Sequence, residues 1–318
     1  YPGNQYPSAN MIPTSRLDHI RTMRRMDVLY VRIENSFPAV GKWTLPPRRW
    51  LYDLPVVVWE FNTILDYKFS RGQSKNEIEC NIQLIKRYGV GCDMAICMTD
   101  SLGKYVRENY GIKEILIVPN GSDPAMFSHK NPVVPRLQHF SDYFNVVWVG
   151  SGKEKWHDLF ILRKAAQNVL ELDFNRNIAF HIIGSDLQGI MSEMPSNVFF
   201  WGAEFYKNIP FWLAGMDVGL SLYMKGPADY ATPLKLFDYM ASGLAVVSTS
   251  SPFMNSLFEE LGQLELLVPS GDFKALADVL IKLSQDRERV KRLGMAGRQL
   301  VIDKYNWRRA VQDTMDSI

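Results

Sequence analysis

Short runs of β-branched and aliphatic residues alternate with segments of helical period along most of the chain, and this alternation restricts the fold more than any other feature. The strand-like runs are Asp27–Ile33, Pro55–Trp59, Met94–Met98, Ile115–Val118, Asn145–Val149, Ala179–Ile183, Asn197–Trp201, Val218–Leu222 and Ala245–Thr249. Between them, Ser74–Tyr88, Thr99–Tyr110, Asp158–Leu172, Pro233–Ala241 and Asp272–Gln285 carry helical spacing. A strand that returns parallel to its neighbour needs a long crossover, usually a helix, so this repetition predicts parallel sheets. Most of the runs are apolar at successive positions, as expected of strands covered by helices on both faces. The expected class is α/β, with doubly wound parallel sheets.

At 318 residues the chain is long enough for about two domains. Pro124, Pro132 and Pro135 interrupt any helix around residues 131–139 and no apolar period is sustained there, so the boundary is expected at that point. Three segments follow: 1–131 as a Rossmann-like unit, 132–302 as a second one, and 303–318 as a C-terminal helix able to cross back to the first. Only about four strands precede the boundary and the chain opens at Tyr1 without an initiator Met, so the first unit is expected to be truncated.

Composition removes several classes of function. Thirty-six Lys and Arg against 34 Asp and Glu leave a formal charge of +2, far from the excess that counterion release to nucleic acid needs. Cys80, Cys92 and Cys97 match neither a zinc motif nor a disulfide framework, and fit a reducing cytoplasm. The most apolar stretch, Pro210 to Met224, is broken by Asp217, so no bilayer span is expected. No His, Asp and Glu cluster has metal-ligand spacing, and no metal is expected.

In open α/β sheets, ligands bind beyond the carboxyl ends of the strands, where helix N-termini aim N–H groups at anions. Two strand-to-helix loops matter most. Val149-Gly150-Ser151-Gly152-Lys153-Glu154-Lys155-Trp156-His157 combines glycines for close backbone approach with two lysines, but matches neither the P-loop nor the GxGxxG pattern. A phosphate loop and a plain surface turn are equal readings. The second loop ends at Thr232, which can cap a helix whose first position suits Pro233 and which Gly243 closes after about three turns, leaving N–H groups free at residues 234 and 235. Asp238 then lies one turn in, placed to accept ribose hydroxyls. Alternatively, Lys235 and Asp238 are only a solvated pair at helical spacing.

From about residue 93 to 310 the chain resembles the retaining GT-B glycosyltransferases, specifically glycosyltransferase family four. Val118-Pro119-Asn120-Gly121-Ser122-Asp123 is similar to the interdomain Pro-Asn-Gly-x-Asp segment, and Asn145 to Gly150 with Trp156-His157 to the phosphate loop. Asn197 to Gly202, then Ala214-Gly215-Met216-Asp217-Val218, resemble the steps before the donor loop. Thr232-Pro233-Leu234-Lys235-Leu236-Phe237-Asp238-Tyr239-Met240-Ala241-Ser242-Gly243 is similar to the donor signature itself, and Gly271-Asp272, Asp286 and Tyr305-Asn306-Trp307 to the C-terminal pattern. The resemblance implies a GT-B fold of two Rossmann-like domains facing across a cleft, the first on the acceptor side and apparently incomplete. It implies a nucleoside diphosphate-sugar donor, UDP- or GDP-linked, a glycan or lipid-linked acceptor, and no bound cofactor or metal. Donor binding would fall to Gly150, Ser151, Lys155, His157, Thr232, Pro233, Leu234, Lys235 and Asp238.

Two departures bear on catalysis. The family's paired glutamates, eight positions apart, fall at Tyr230 and Asp238, with Asp229 adjacent as a substitute for the first. The Arg usual in the phosphate loop is missing after Gly150, so Lys153, Lys155 or Lys235 would neutralise the diphosphate as point charges. Relatives place a histidine after an acceptor-domain strand; the matching stretch here reads Glu60-Phe61-Asn62, so Glu60 or Asn62 faces the sugar or caps the following segment.

Residues 16 to 50 interleave Arg16, Arg21, Arg24, Arg25, Arg32, Lys42, Arg48 and Arg49 with Trp43, Leu45 and Trp50. This suits the headgroup level of an anionic membrane at about 1 kcal/mol per basic residue, and equally suits a solvated helix face followed by a turn. The leading expectation is a retaining glycosyltransferase of surface polysaccharide or glycolipid synthesis, cytoplasmic or peripheral on that membrane face. The alternatives are a non-catalytic glycan-binding or scaffold protein of the same fold, and a GT-B nucleotide-sugar epimerase or phosphorylase.

Overall fold

The computed structural model describes residues 27–33, 56–62, 64, 74–152, 156–172, 177–185 and 194–318. The first sheet holds β1 (Val28–Arg32), β2 (Val56–Phe61), β3 (Met94–Cys97) and β4 (Ile115–Ile117) in the order β1-β2-β3-β4, all parallel. Helix α1 (Lys75–Tyr88) provides the crossover from β2 to β3, and α2 (Asp100–Tyr110) that from β3 to β4. Thr99 starts α2 by accepting the Leu102 N–H at 3.1 Å, and Gly111 ends it at φ 73°, a conformation cheap only for glycine. Val57, Val58, Trp59, Ile96, Leu102 and Val106 form the buried centre of this unit.

The second sheet is built on β5 (Phe144–Ser151), β6 (Ile178–Ser185), β7 (Val198–Gly202), β8 (Val218–Ser221), β9 (Ala245–Thr249) and β10 (Leu267–Val268), ordered β10-β9-β8-β5-β6-β7. Every pairing in it is parallel. The chain runs outward through β6 and β7 on one side of β5, then returns to β8 on the other. The strand order therefore reverses between β5 and β8, and the crevice of a doubly wound fold opens there.

Helices α3 (Leu159–Leu172), α4 (Ile209–Leu213), α5 (Leu234–Ala241), α6 (Pro252–Glu260), α7 (Phe273–Ser284), α8 (Arg287–Asp303) and α9 (Trp307–Ser317) complete the unit. Tyr239 of α5 fixes that helix to the crevice: its ring is fully buried against Gly219 of β8, and its hydroxyl accepts the Val149 N–H of β5 at 2.7 Å. The nine strand-like runs all fall on strands. β10, with two residues, is too short for any periodicity to reveal.

Segment 118–124 joins the units and is tied down on both sides. Ser122 N–H donates to the Tyr305 carbonyl at 3.0 Å, and Trp307 N–H to the Ser122 carbonyl at 3.3 Å. Arg298 of α8 donates to the carbonyls of Pro124, Phe127 and Ala241, so one guanidinium holds this stretch to the end of α5. Beyond it, Ala310 of α9 packs on the first core.

Candidate functional site

A cavity of about 460 Å³ opens at the carboxyl ends of β5 and β6. Val149, Gly150 and Ser151 line it from β5, Ile183, Gly184 and Ser185 from β6, and Ala203 to Tyr206 with Ile209 from the segment after β7. Gly184 has to be glycine, because a Cβ there would overlap the Gly150 carbonyl. Phe205 and Tyr206 remain 59% and 43% exposed on the wall, a planar apolar surface of the kind a nucleobase stacks on. This wall was not anticipated; the signal for it was the aromatic pair three and four positions beyond the β7 strand, in a strand-to-helix loop.

Lys235 stands at the rim. Its Nζ lies 2.8 Å from where a Cβ of residue 150 would be, so Gly150 leaves room for the ammonium as well as for a ligand. The ammonium sits over the Trp148 ring at 4.2 Å and 3.5 Å from His157 Nε2, with no carboxylate paired to it among the described residues. Desolvation pulls it down to about 7. His157 Nδ1 lies 2.9 Å from the Ser151 carbonyl, which can only accept, so Nδ1 carries the proton and Nε2 turns its lone pair toward Lys235. Burial and the neighbouring ammonium hold His157 down at about 3, keeping it neutral. The imidazole facing Lys235 is thus an acceptor that adds no charge, and the positive charge stays available to an incoming anion.

The start of α5 reinforces this. The helix begins at Leu234, and the Leu234 and Lys235 N–H groups find no acceptor among the described residues. Thr232 does not cap it, contrary to expectation: no side chain caps α5, and the Thr232 hydroxyl instead accepts the Asn120 N–H at 3.2 Å. Asn120 Nδ2 also donates to the Thr232 carbonyl at 2.6 Å, which fixes the entry to α5 against the interdomain segment. Pro233 is buried beside it.

The solvated-pair reading of Lys235 and Asp238 is overturned. Asp238 is 7% exposed, its Oδ1 accepts the Ser122 hydroxyl at 2.6 Å, and the Tyr206 hydroxyl stands 3.4 Å from both oxygens. Burial pushes Asp238 up to about 7, with no cationic partner among the described residues, while the two hydroxyls oppose that rise. Tyr206 lines the cavity and Asp238 lies directly behind it.

The remaining candidates lie elsewhere. Lys153 and Lys155 lie outside the described residues, as does residues 16–50 apart from 27–33. Glu60 is not brought to the β5 and β6 cavity: it accepts the Tyr30 hydroxyl at 2.7 Å, pairs with Arg32 at 3.7 Å, and lines a separate cavity of about 360 Å³ under α9. Asn62 follows β2 directly and lines neither space. Tyr230, in the place of the family's first acid, packs edge-on against Tyr105 at 5.7 Å and against the first core, so its ring is committed to joining the units. Asp229 lines a third cavity with Lys225, Ser250 and Ser270. His181 is a core residue, bonded to Asn145 and Trp201. Among the described residues no group of His, Cys, Asp and Glu could hold a metal ion, and no helix is long and apolar enough to cross a membrane.

Comparison with known proteins bears on the fold. Residues 143–286, which contain β5 through α7, match the family model described as Glycosyl transferases group 1. No curated protein matches the chain by sequence. Among solved structures, HepE of Anabaena in complex with UDP-glucose superposes with a TM-score of 0.71 at 14% identity, covering 95% of this chain and 82% of that one. Sucrose-phosphate synthase from Thermosynechococcus elongatus gives 0.66 at 16% identity, covering 95% and 77%. TarM gives 0.70 at 15%, covering 94% of this chain and 57% of its own. The fold is that of the GT-B glycosyltransferases, two α/β units with parallel sheets, and the family match over residues 143–286 supports glycosyltransferase activity.

Proposed function

We propose that the chain transfers a sugar, with retention of its anomeric configuration, from a nucleoside diphosphate-sugar to a hydroxyl acceptor. The observation that carries this reading is Lys235: a desolvated ammonium held over Gly150 at the reversal of strand order, with no carboxylate paired to it and two unbonded N–H groups beside it among the described residues. The diphosphate belongs there, the nucleobase against Phe205 and Tyr206, and the ribose toward Asp238. Breaking the bond between sugar and phosphate leaves its electron pair on the diphosphate, and Lys235 with the N–H groups stabilises that charge as it develops. A phosphate oxygen of the donor takes the proton of the acceptor hydroxyl, as the family resemblance implies, and the new bond forms on the face the diphosphate leaves.

A UDP-sugar is the first donor to test, because HepE, a structural neighbour, was solved with UDP-glucose. The acceptor we propose is a glycan or lipid-linked glycan, met at the cytoplasmic face of a membrane. A second reading, a scaffold that binds nucleotide without turnover, draws on Tyr230, which replaces the acid expected beside the donor sugar and is spent on Tyr105. Thermal shift with UDP, GDP, ADP and their sugar conjugates tests both. One nucleoside diphosphate at 100 times its dissociation constant adds about 2.7 kcal/mol of stability, and Lys235→Met removes the shift. Binding followed by slow release of free sugar supports the transferase; binding with no release under any acceptor supports the scaffold; no shift with any nucleotide refutes both.

A further inference from the structure

Ser122 does not line the cavity just described, yet it makes the shortest contact to Asp238. Its hydroxyl is fully buried and donates to Asp238 Oδ1 at 2.6 Å, while Tyr206 reaches both carboxylate oxygens at a longer 3.4 Å. The Ser122 backbone has little freedom. Its N–H and carbonyl are bonded to Tyr305 and Trp307, and a Cβ at the neighbouring Gly121 would come within 2.7 Å of the Tyr305 carbonyl. Asn120, two residues earlier, is fastened to Thr232 at the start of α5. A carboxylate buried without a cation keeps its orientation only through hydrogen-bond donors, and the firm donor here comes from the interdomain segment rather than from the nucleotide-binding unit.

We infer that Ser122 is a positioning residue for the donor ribose. It holds Oδ1 of Asp238 and so fixes the plane of the carboxylate behind Tyr206 at the cavity wall, and it makes ribose recognition depend on where the interdomain segment sits. This rests on the nucleotide-donor reading above. Ser122 touches no substrate in this arrangement; it acts through Asp238.

The test is a double-mutant cycle read with two probes, UDP and inorganic pyrophosphate, by calorimetry on the full chain. Pyrophosphate carries the charges that Lys235 meets but no ribose. Ser122→Ala should weaken UDP about 5- to 10-fold and pyrophosphate less than twofold, and Asp238→Asn should do the same. The double variant should bind UDP no more weakly than Asp238→Asn alone, since Ser122 acts only through that carboxylate. Ser122→Cys, close in volume and a weak donor, should fall between wild type and alanine, and serves if the alanine variant folds poorly. Equal losses for UDP and pyrophosphate, additive losses in the double variant, or unchanged UDP affinity in Ser122→Ala would each overturn the inference. If the wild-type chain binds pyrophosphate but not UDP, the ribose contact is absent and the inference fails alone; if it binds neither, the donor reading fails first and takes this with it.

Discussion

A lysine that lies near neutrality before any ligand arrives reports on the ligand it awaits. Burial holds Lys235 at about 7, and a diphosphate placed against it must raise that value by favouring the charged form. At pH 8 the free protein therefore carries Lys235 mostly neutral, and the complex carries it protonated, so binding takes up close to one proton. Affinity for UDP should fall as pH rises from 7 to 9, by up to tenfold per unit. Calorimetry at pH 8 in two buffers of different ionisation heat measures the uptake directly, and Lys235→Met should abolish it. Uptake that persists in the variant would place the diphosphate elsewhere. That Lys235 and Asp238 share one helix was legible in the sequence, because both fall at helical spacing on α5; spacing left their donor-binding role open, and only the family resemblance favoured it. Their surroundings were not legible. Ser122, 116 residues away, and Tyr206, 32 away, decide whether Asp238 is a surface group or a buried one, and no local pattern encodes such contacts.

Elements were legible in proportion to how apolar their buried face is. The nine strand-like runs were readable because valine, isoleucine and phenylalanine fill successive positions. Helix α8 gave no such signal, although it closes the back of the site: its buried residues are Val290, Gly294, Gly297 and Val301. The spacing is helical, but two of the four positions carry no side chain. The structure supplies the reason. A Cβ at residue 294 would overlap the Gly243 carbonyl, and one at residue 297 would come within 3.2 Å of Met240 Cγ, so α8 packs on α5 and the turn after it at backbone distance. In an ordinary helix interior, glycine to alanine stabilises by roughly 0.5 to 1 kcal/mol. At residue 294 the sign should reverse. Gly294→Ala forces α8 off α5, loosens the Arg298 bonds to Phe127 and Pro124, and should cost about 2 to 4 kcal/mol. Urea unfolding of the variant measures it, and a stabilised variant would mean that α8 is free to shift.

At the scale of the whole molecule, two separate cores share one chain. The second core runs through both faces of a six-stranded sheet, whereas the described part of the first is built on four strands and two helices. The strand order that creates the crevice could not be read from the sequence, since alternation specifies parallel crossovers but not the side on which each strand is added. What joins the cores among the described residues is modest: the tied segment around Ser122, Ala310 of α9, the Tyr230 ring against Tyr105, and the approach of α6 to α2. Cooperativity between units follows the apolar area they share, so a small shared area allows them to melt apart. Differential scanning calorimetry should resolve two transitions, the earlier belonging to the first unit. Saturating UDP should raise the later transition and leave the earlier one nearly fixed, because the proposed nucleotide contacts lie almost wholly in the second unit. Tyr230→Ala should lower the earlier transition by removing the aromatic contact that the second unit lends to the first, and so widen the gap. A single peak that UDP moves intact, in wild type and variant alike, would instead mean that the two sheets fold as one unit and that the interdomain segment transmits far more energy than its contacts account for.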